Sequence, residues 1–160
     1  KGLNRDVTIR DIVSTYIYPN TLKTLCVTRA QLKCALERSA EYFAIDADGK
    51  LKVSESFLTP IEQHFNYDYF SGIEAAFDIR RSVGDRVVSI KYKGEELSGD
   101  KRLTLCMNNY RASGAGGYDI YRQCQTVREL PTEIAELIIA YVDRHRDITV
   151  DKHKWLKLIY

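Results

Sequence analysis

The 160-residue sequence predicts an α+β domain with a mixed β-sheet and two main helices. Two stretches repeat apolar residues every three and four positions, Leu32, Ala35, Leu36 and Ala40 in the first and Ile134, Leu137, Ile138 and Tyr141 in the second. Between them, residues alternate with a period of two and are broken by hairpin-length turns. A composition of 44% hydrophobic and 29% charged residues supplies a core and excludes a disordered chain. With no internal repeat, low-complexity tract or linker, residues 1–160 read as a single domain.

Taken in order, Thr8 is an N-cap with Asp11 three positions on, which opens a short helical turn through Val13. Pro19 disfavours helix at Tyr18, so that tyrosine belongs to an extended, partly exposed segment. Leu22 to Val27 reads as a strand ending at Thr28, and Thr28 to Gln31 as a capping box. The helix that follows sets its apolar face against the core and leaves Lys33, Glu37, Arg38 and Glu41 elsewhere. Asp46 to Gly49 is a turn, and Val53 to Pro60 has no period and reads as loop. Ala75, Phe77 and Ile79 alternate along a strand, Val83-Gly84-Asp85 turns, and Arg86 to Tyr92 returns. A further turn at Lys93 to Glu96 precedes a strand at Leu103 to Met107. Pro131 and Thr132 predict a clean helix start, with Thr132 as cap, and Trp155 to Tyr160 closes as a short strand.

Charge excludes whole classes of partner. Lys plus Arg (24) and Asp plus Glu (22) nearly cancel, and a net charge of +2 gives no case for a nucleic-acid groove or an anionic membrane surface. No run approaches the roughly 20 apolar residues of a membrane span. Residues from Lys1 to Asp6 lack an initiating Met and a signal-peptide centre, as expected of a piece cut from a longer protein. Cys26, Cys34, Cys106 and Cys124 form no CxxC pair and have no histidine at ligand spacing, which argues against zinc. Buried free thiols are the expectation, with disulfides open if the parent is exported. His64, His145 and His153 are scattered and read as solvated side chains.

The one segment that breaks local rules is Met107 to Tyr118, MNNYRASGAGGY, where a strand runs into two amides, an aromatic and three glycines. Glycine permits positive φ and a close approach to the main chain. A P-loop fails for want of its lysine and following helix, and a dinucleotide fingerprint for want of a βαβ unit with a later acidic residue. A tight structural turn and a ligand-binding turn both remain open. So does a cysteine nucleophile at Cys106, whose only support is Asn108 nearby.

With these residues in view, the sequence resembles the C-terminal domain of the 5'-nucleotidase family, and within it the 2',3'-cyclic-nucleotide 2'-phosphodiesterases that are also 3'-nucleotidases. Asn108, Asn109, Tyr110 and the Gly114 to Gly117 turn resemble the family's Asn-aromatic pair and Gly-rich turn. VTIRDIVSTYIYPNTL, from Val7 to Leu22, is similar to the segment that carries a second aromatic, here Tyr18. The likeness continues through Leu36-Glu37-Arg38-Ser39-Ala40, Phe77-Asp78 and Gly84-Asp85-Arg86-Val87.

The resemblance implies a substrate-binding domain that clamps a nucleobase between Tyr18 and Tyr110, with Asn109, Ser113, Gly114, Gly116 and Gly117 as further contacts. Asn109 and Ser113 could meet base or ribose, or stitch the turn to itself, and Arg111 could be a nucleotide contact or a solvated cation. Where the 5'-nucleotidase branch carries a ribose-binding Asp, this chain has Gly116, which favours the cyclic-phosphodiesterase branch; Asp119 could compensate. The resemblance further implies no cofactor in this segment, a divalent metal pair in a preceding metallophosphoesterase domain, and a periplasmic, extracellular or wall-associated parent. The partners it implies are a nucleotide or nucleoside and that upstream domain, while charge and apolar-run length give no nucleic-acid polymer and no membrane span. Readings from other classes are a 5'-nucleotidase or nucleotide-sugar hydrolase domain and a non-catalytic binding module.

Overall fold

The structure is a computed structural model and describes residues 3–160; Lys1 and Gly2, part of the expected cut end, lie outside the described residues. A seven-residue helix α1 (Ile9–Thr15) starts at a capping box formed by Thr8 and Asp11. Strand β1 (Thr21–Thr28) ends in the predicted capping box, where Thr28 and Gln31 cap helix α2 (Arg29–Ala40). Both boxes are local, joining residues three positions apart, so the Thr8 cap and the Thr28–Gln31 box were readable from sequence.

Strands β2 (Phe43–Ile45) and β3 (Leu51–Val53) make a small hairpin. Single 3-10 turns follow at Glu55–Phe57 and His64–Asn66. Next come β4 (Glu74–Asp78), β5 (Val87–Tyr92), β6 (Glu95–Glu96) and β7 (Arg102–Asn108). A one-turn helix α3 (Asn109–Ala112) and a 3-10 turn (Asp119–Gln123) flank the Gly-rich segment. The chain continues through β8 (Gln125–Glu133), α4 (Ile134–His145) and β9 (Leu156–Ile159).

The strands form three sheets, ordered β7-β1-β8, β2-β3 and β6-β5-β4-β9. The last is mixed, because β9 lies parallel to β4 while β5 is antiparallel to it. The core joins the two larger sheets through α2: Leu32, Ala35, Leu36 and Ala40 pack with Leu25 and Val27 of β1, Phe77 of β4, Ile90 of β5, and Tyr118 and Tyr121. The α+β class and the apolar face of α2 are as predicted.

Four local expectations change. Glu37, placed outside the core by period, is buried, and its carboxylate accepts from the Arg86 and Val87 amides at 2.9 Å each. Pro131 and Thr132 belong to β8 rather than to a helix start, and Glu133 takes the N-cap position without a side-chain bond. β8 is an edge strand, where a proline without an N–H is tolerated, and the first helical amide, from Ile134, donates instead to the Asn20 carbonyl at 2.8 Å. Tyr141 leaves the packed face of α4 and stacks on His145 with ring centres 4.0 Å apart. The cysteines are free, but Cys34 and Cys106 are exposed and Cys26 and Cys124 only half-buried, because Cys26 and Cys106 alternate with the inward residues of β1 and β7.

Candidate functional site

The site is built at the end of the β1-β7 pair. Antiparallel pairing sets Leu22 opposite Asn108, so the chain entering β1 and the chain leaving β7 share one end of the sheet. Asn108 caps α3 by accepting from the Arg111 amide at 2.7 Å. The next residue, Asn109, bridges the two chains: its Oδ1 accepts from the Thr21 amide at 3.2 Å and from the Tyr110 amide at 3.0 Å. Tyr18, three residues before Thr21, and Tyr110 therefore stand at the same end of the sheet, the two residues 63% and 47% exposed. Ser113 stitches the turn, its hydroxyl donating to the Tyr110 carbonyl at 2.7 Å.

Gly114, Gly116 and Gly117 all take positive φ, at 88°, 75° and 88°. Each also lies under an arginine of the same chain. A Cβ on Gly114 would fall 2.7 Å from Arg122 Nε, one on Gly117 2.6 Å from Arg38 Nε, and one on Gly116 would collide with the Arg111 guanidinium and the Asn66 side chain. The same arginines hold the turn's carbonyls, Arg38 donating to Gly116 at 2.9 Å, Arg122 to Ser113 at 2.9 Å, and Arg111 to Ala115. The glycines thus admit the protein's own cations to its own backbone.

Arg111 is neither a solvated cation nor a side chain free to reach a ligand. It is 6% exposed, pairs through Nε with Asp68 at 2.7 Å, donates from Nη2 to the Phe65 carbonyl at 3.0 Å, and lies 4.4 Å over the Tyr118 ring. Burial pushes the Asp68 carboxyl above its usual range, and the arginine pulls it part of the way back. Beneath the turn, the Tyr118 hydroxyl is bonded to Ser39 at 2.8 Å and donates to the Asn66 carbonyl at 3.2 Å. Burial, with the nearby Asp68 carboxylate, pushes this phenol up to about 12. Asn66 is itself buried, and its Oδ1 has no hydrogen-bond partner.

Asp68, Asn66 and Arg122 carried no sequence signal, and Arg38, although within the resembling stretch Leu36 to Ala40, none for this role, because they meet the turn from 9 to 78 residues away. Cys106 is exposed and His64 is bonded to Tyr42, so the cysteine-nucleophile reading gains no support. Among the described residues, no three of His, Cys, Asp and Glu gather as a metal-holding group, so no ligand set here fits the metal pair implied for a preceding domain. Among them, too, no helix is long and apolar enough to cross a membrane.

A family model described as the C-terminal domain of 5'-nucleotidase matches residues 2–123. A 2',3'-cyclic-nucleotide 2'-phosphodiesterase/3'-nucleotidase of Haemophilus influenzae is 30% identical over 125 residues, which is 68% of this chain and 18% of that protein. The trifunctional nucleotide phosphoesterase protein YfkN of Bacillus subtilis is 23% identical over 155 residues, 89% of this chain and 10% of its own. A Staphylococcus aureus protein proposed to be a 5'-nucleotidase, solved in complex with alpha-ketoglutarate, superposes with a TM-score of 0.92 at 37% identity over 100% of this chain and 31% of that one. The fold recurs in a 5'-nucleotidase precursor from Thermus thermophilus, with a TM-score of 0.69 at 20% identity. The chain therefore spans less than a fifth of the length of these two curated relatives.

Proposed function

Because this chain belongs to the family of 5'-nucleotidase C-terminal domains, we propose that it is the substrate-specificity domain of a nucleotide hydrolase acting on nucleoside 2',3'-cyclic phosphates and 3'-nucleotides. Tyr18 and Tyr110 clamp the base, and the tethered phosphate is presented to a catalytic domain of the same, exported, parent chain. The observation that carries the reading is the Asn109 bridge, which ties the backbone leading from Tyr18 to the amide of Tyr110. Both tyrosines are exposed, and an aromatic ring with a polar tip suits a surface that is to be covered by a flat ligand on one side and to stay wet on the other. Stacking tolerates any base, and holding the base converts binding into positioning of the phosphate.

Asn109 uses its oxygen on the backbone, which leaves its Nδ2 for a base or ribose acceptor. Ser113 and the main chain of Gly114, Gly116 and Gly117 complete the proposed contacts. Gly116 favours this substrate class: where the 5'-nucleotidase branch has a carboxylate for the ribose diol, this turn has no room even for a Cβ. A 2',3'-cyclic phosphate has no free diol to grip. The test is Tyr110→Ala in the parent enzyme. Loss of one stacking contact, worth about 1 to 3 kcal/mol, weakens binding of nucleoside monophosphates by roughly 5- to 150-fold. Unchanged affinity ends the clamp.

A further inference from the structure

Phe65 is a large apolar side chain left 67% exposed, although its backbone is fixed on every side. It occupies the middle of the 3-10 turn His64–Asn66. On one flank His64 is bonded to the Tyr42 hydroxyl at 2.8 Å, and on the other Asn66 is buried against Gly116. Its carbonyl accepts from Arg111 at 3.0 Å, and Asp68, three residues on, closes the ion pair to the same guanidinium. That guanidinium also lies 5.9 Å from the centre of the Tyr110 ring. Phe65, through its carbonyl, and Tyr110, through its ring, therefore meet one buried arginine, and both residues are exposed. Exposed aromatics on a fixed backbone are the residues from which binding surfaces are built, since little side-chain entropy is lost when they are covered.

Resting on the base-clamp reading, we propose that Phe65 is a third aromatic wall of the base site and sets its preference for purines over pyrimidines. A purine offers a second fused ring to an apolar wall beside the stacked pair, and a pyrimidine does not reach it. Arg111 acts here as a positioning residue, because one side chain sets both the turn bearing Phe65 and the turn bearing Tyr110.

The test is steady-state kinetics of the full-length parent with 3'-AMP, 3'-CMP and the baseless ribose 3-phosphate. Phe65→Ala is expected to raise KM for 3'-AMP at least fivefold, to lower the 3'-AMP to 3'-CMP ratio of kcat/KM several-fold, and to leave ribose 3-phosphate unchanged. Phe65→Tyr restores the ratio, and Phe65→Leu, apolar without a ring, gives an intermediate value. An unchanged ratio overturns the proposal, as does a shift shared by all three substrates, the signature of a structural role. Tyr110→Ala run in parallel separates the two readings. If it weakens both nucleotides while Phe65→Ala does nothing, Phe65 alone is excluded; if it too does nothing, the clamp falls.

Discussion

Tyr110 and Tyr18 meet the same end of the β1-β7 pair on backbones held in opposite ways. Tyr110 lies in a one-turn helix capped by Asn108, and three arginines grip the turn that follows, bonding carbonyls and lying against glycines. Tyr18 follows α1, of which only Ile12 is buried, while Ile9, Val13 and Ile17 are exposed beside it. Two residues before Tyr18 the Tyr16 amide donates to the Ile12 carbonyl at 2.9 Å as α1 ends, and after it Asn20 and Thr21 are bonded to Ile134 and Asn109. One region is ordered by several polar contacts to its carbonyls, centred on the buried Arg111, the other by a cap and a single core residue. In the proposed clamp, one wall is set before the ligand arrives and the other settles on it.

The largest test of this contrast is Arg111→Met. It keeps much of the apolar stem but leaves the Asp68 carboxylate half-buried without its partner, and breaking such a pair costs roughly 3 kcal/mol. Denaturant unfolding at neutral pH should show that loss. The pH dependence has a definite sign. Burial already raises the Asp68 carboxyl, and removing the arginine takes away the interaction that lowers it. A folded-state value above the unfolded one favours the fold at low pH and is lost as pH rises, so the deficit of the variant shrinks on acidification. A loss below about 1 kcal/mol at neutral pH, the scale of an exposed pair, would mean that the turn is held by something else.

Gly116→Ala should cost less, roughly 2 kcal/mol, and has an internal control in Gly72→Ala. Both glycines have positive φ, 75° and 82°, and both substitutions incur about 1 kcal/mol for that conformation. Only Gly116 has the Arg111 guanidinium where a Cβ would go, whereas Gly72 has nothing within 4 Å. The difference between the two stability losses, from the same denaturant titration, measures how tightly Arg111 and Asn66 close on the turn. Equal losses would reduce the turn to a conformational requirement and erase its contrast with the Tyr18 segment.

These residues also mark where the sequence stops being legible. Capping boxes, the α2 face and the oddity of the Gly-rich turn depend on neighbours within a few positions, and all were readable. Glu37 was misjudged because its value lies in two amides, of Arg86 and Val87, which arrive from 49 and 50 residues away. Pro131 read as a helix signal because nothing local marks β8 as an edge strand. Within the site, the tyrosines and Asn109 could be singled out by resemblance. The purpose of the glycines could not be, since it depends on Arg38 and on the Asp68 that neutralises Arg111, both placed only by tertiary packing.

The smallest stability effect belongs to Tyr18→Ala, and its smallness makes it informative. With the ring largely in solvent and no core contact to lose, the change in unfolding free energy should stay within about 0.5 kcal/mol. Its effect on nucleotide KM should nevertheless approach that of Tyr110→Ala, because each removes one face of the stack. The two variants combined show how the walls depend on each other. If Tyr18 can settle only on a base already held by Tyr110, the second substitution adds little to the first, and the double-mutant cycle shows a coupling of 0.5 kcal/mol or more. Strict additivity in that cycle would mean that the two rings bind independently, and that the difference in how their backbones are held has no part in recognition.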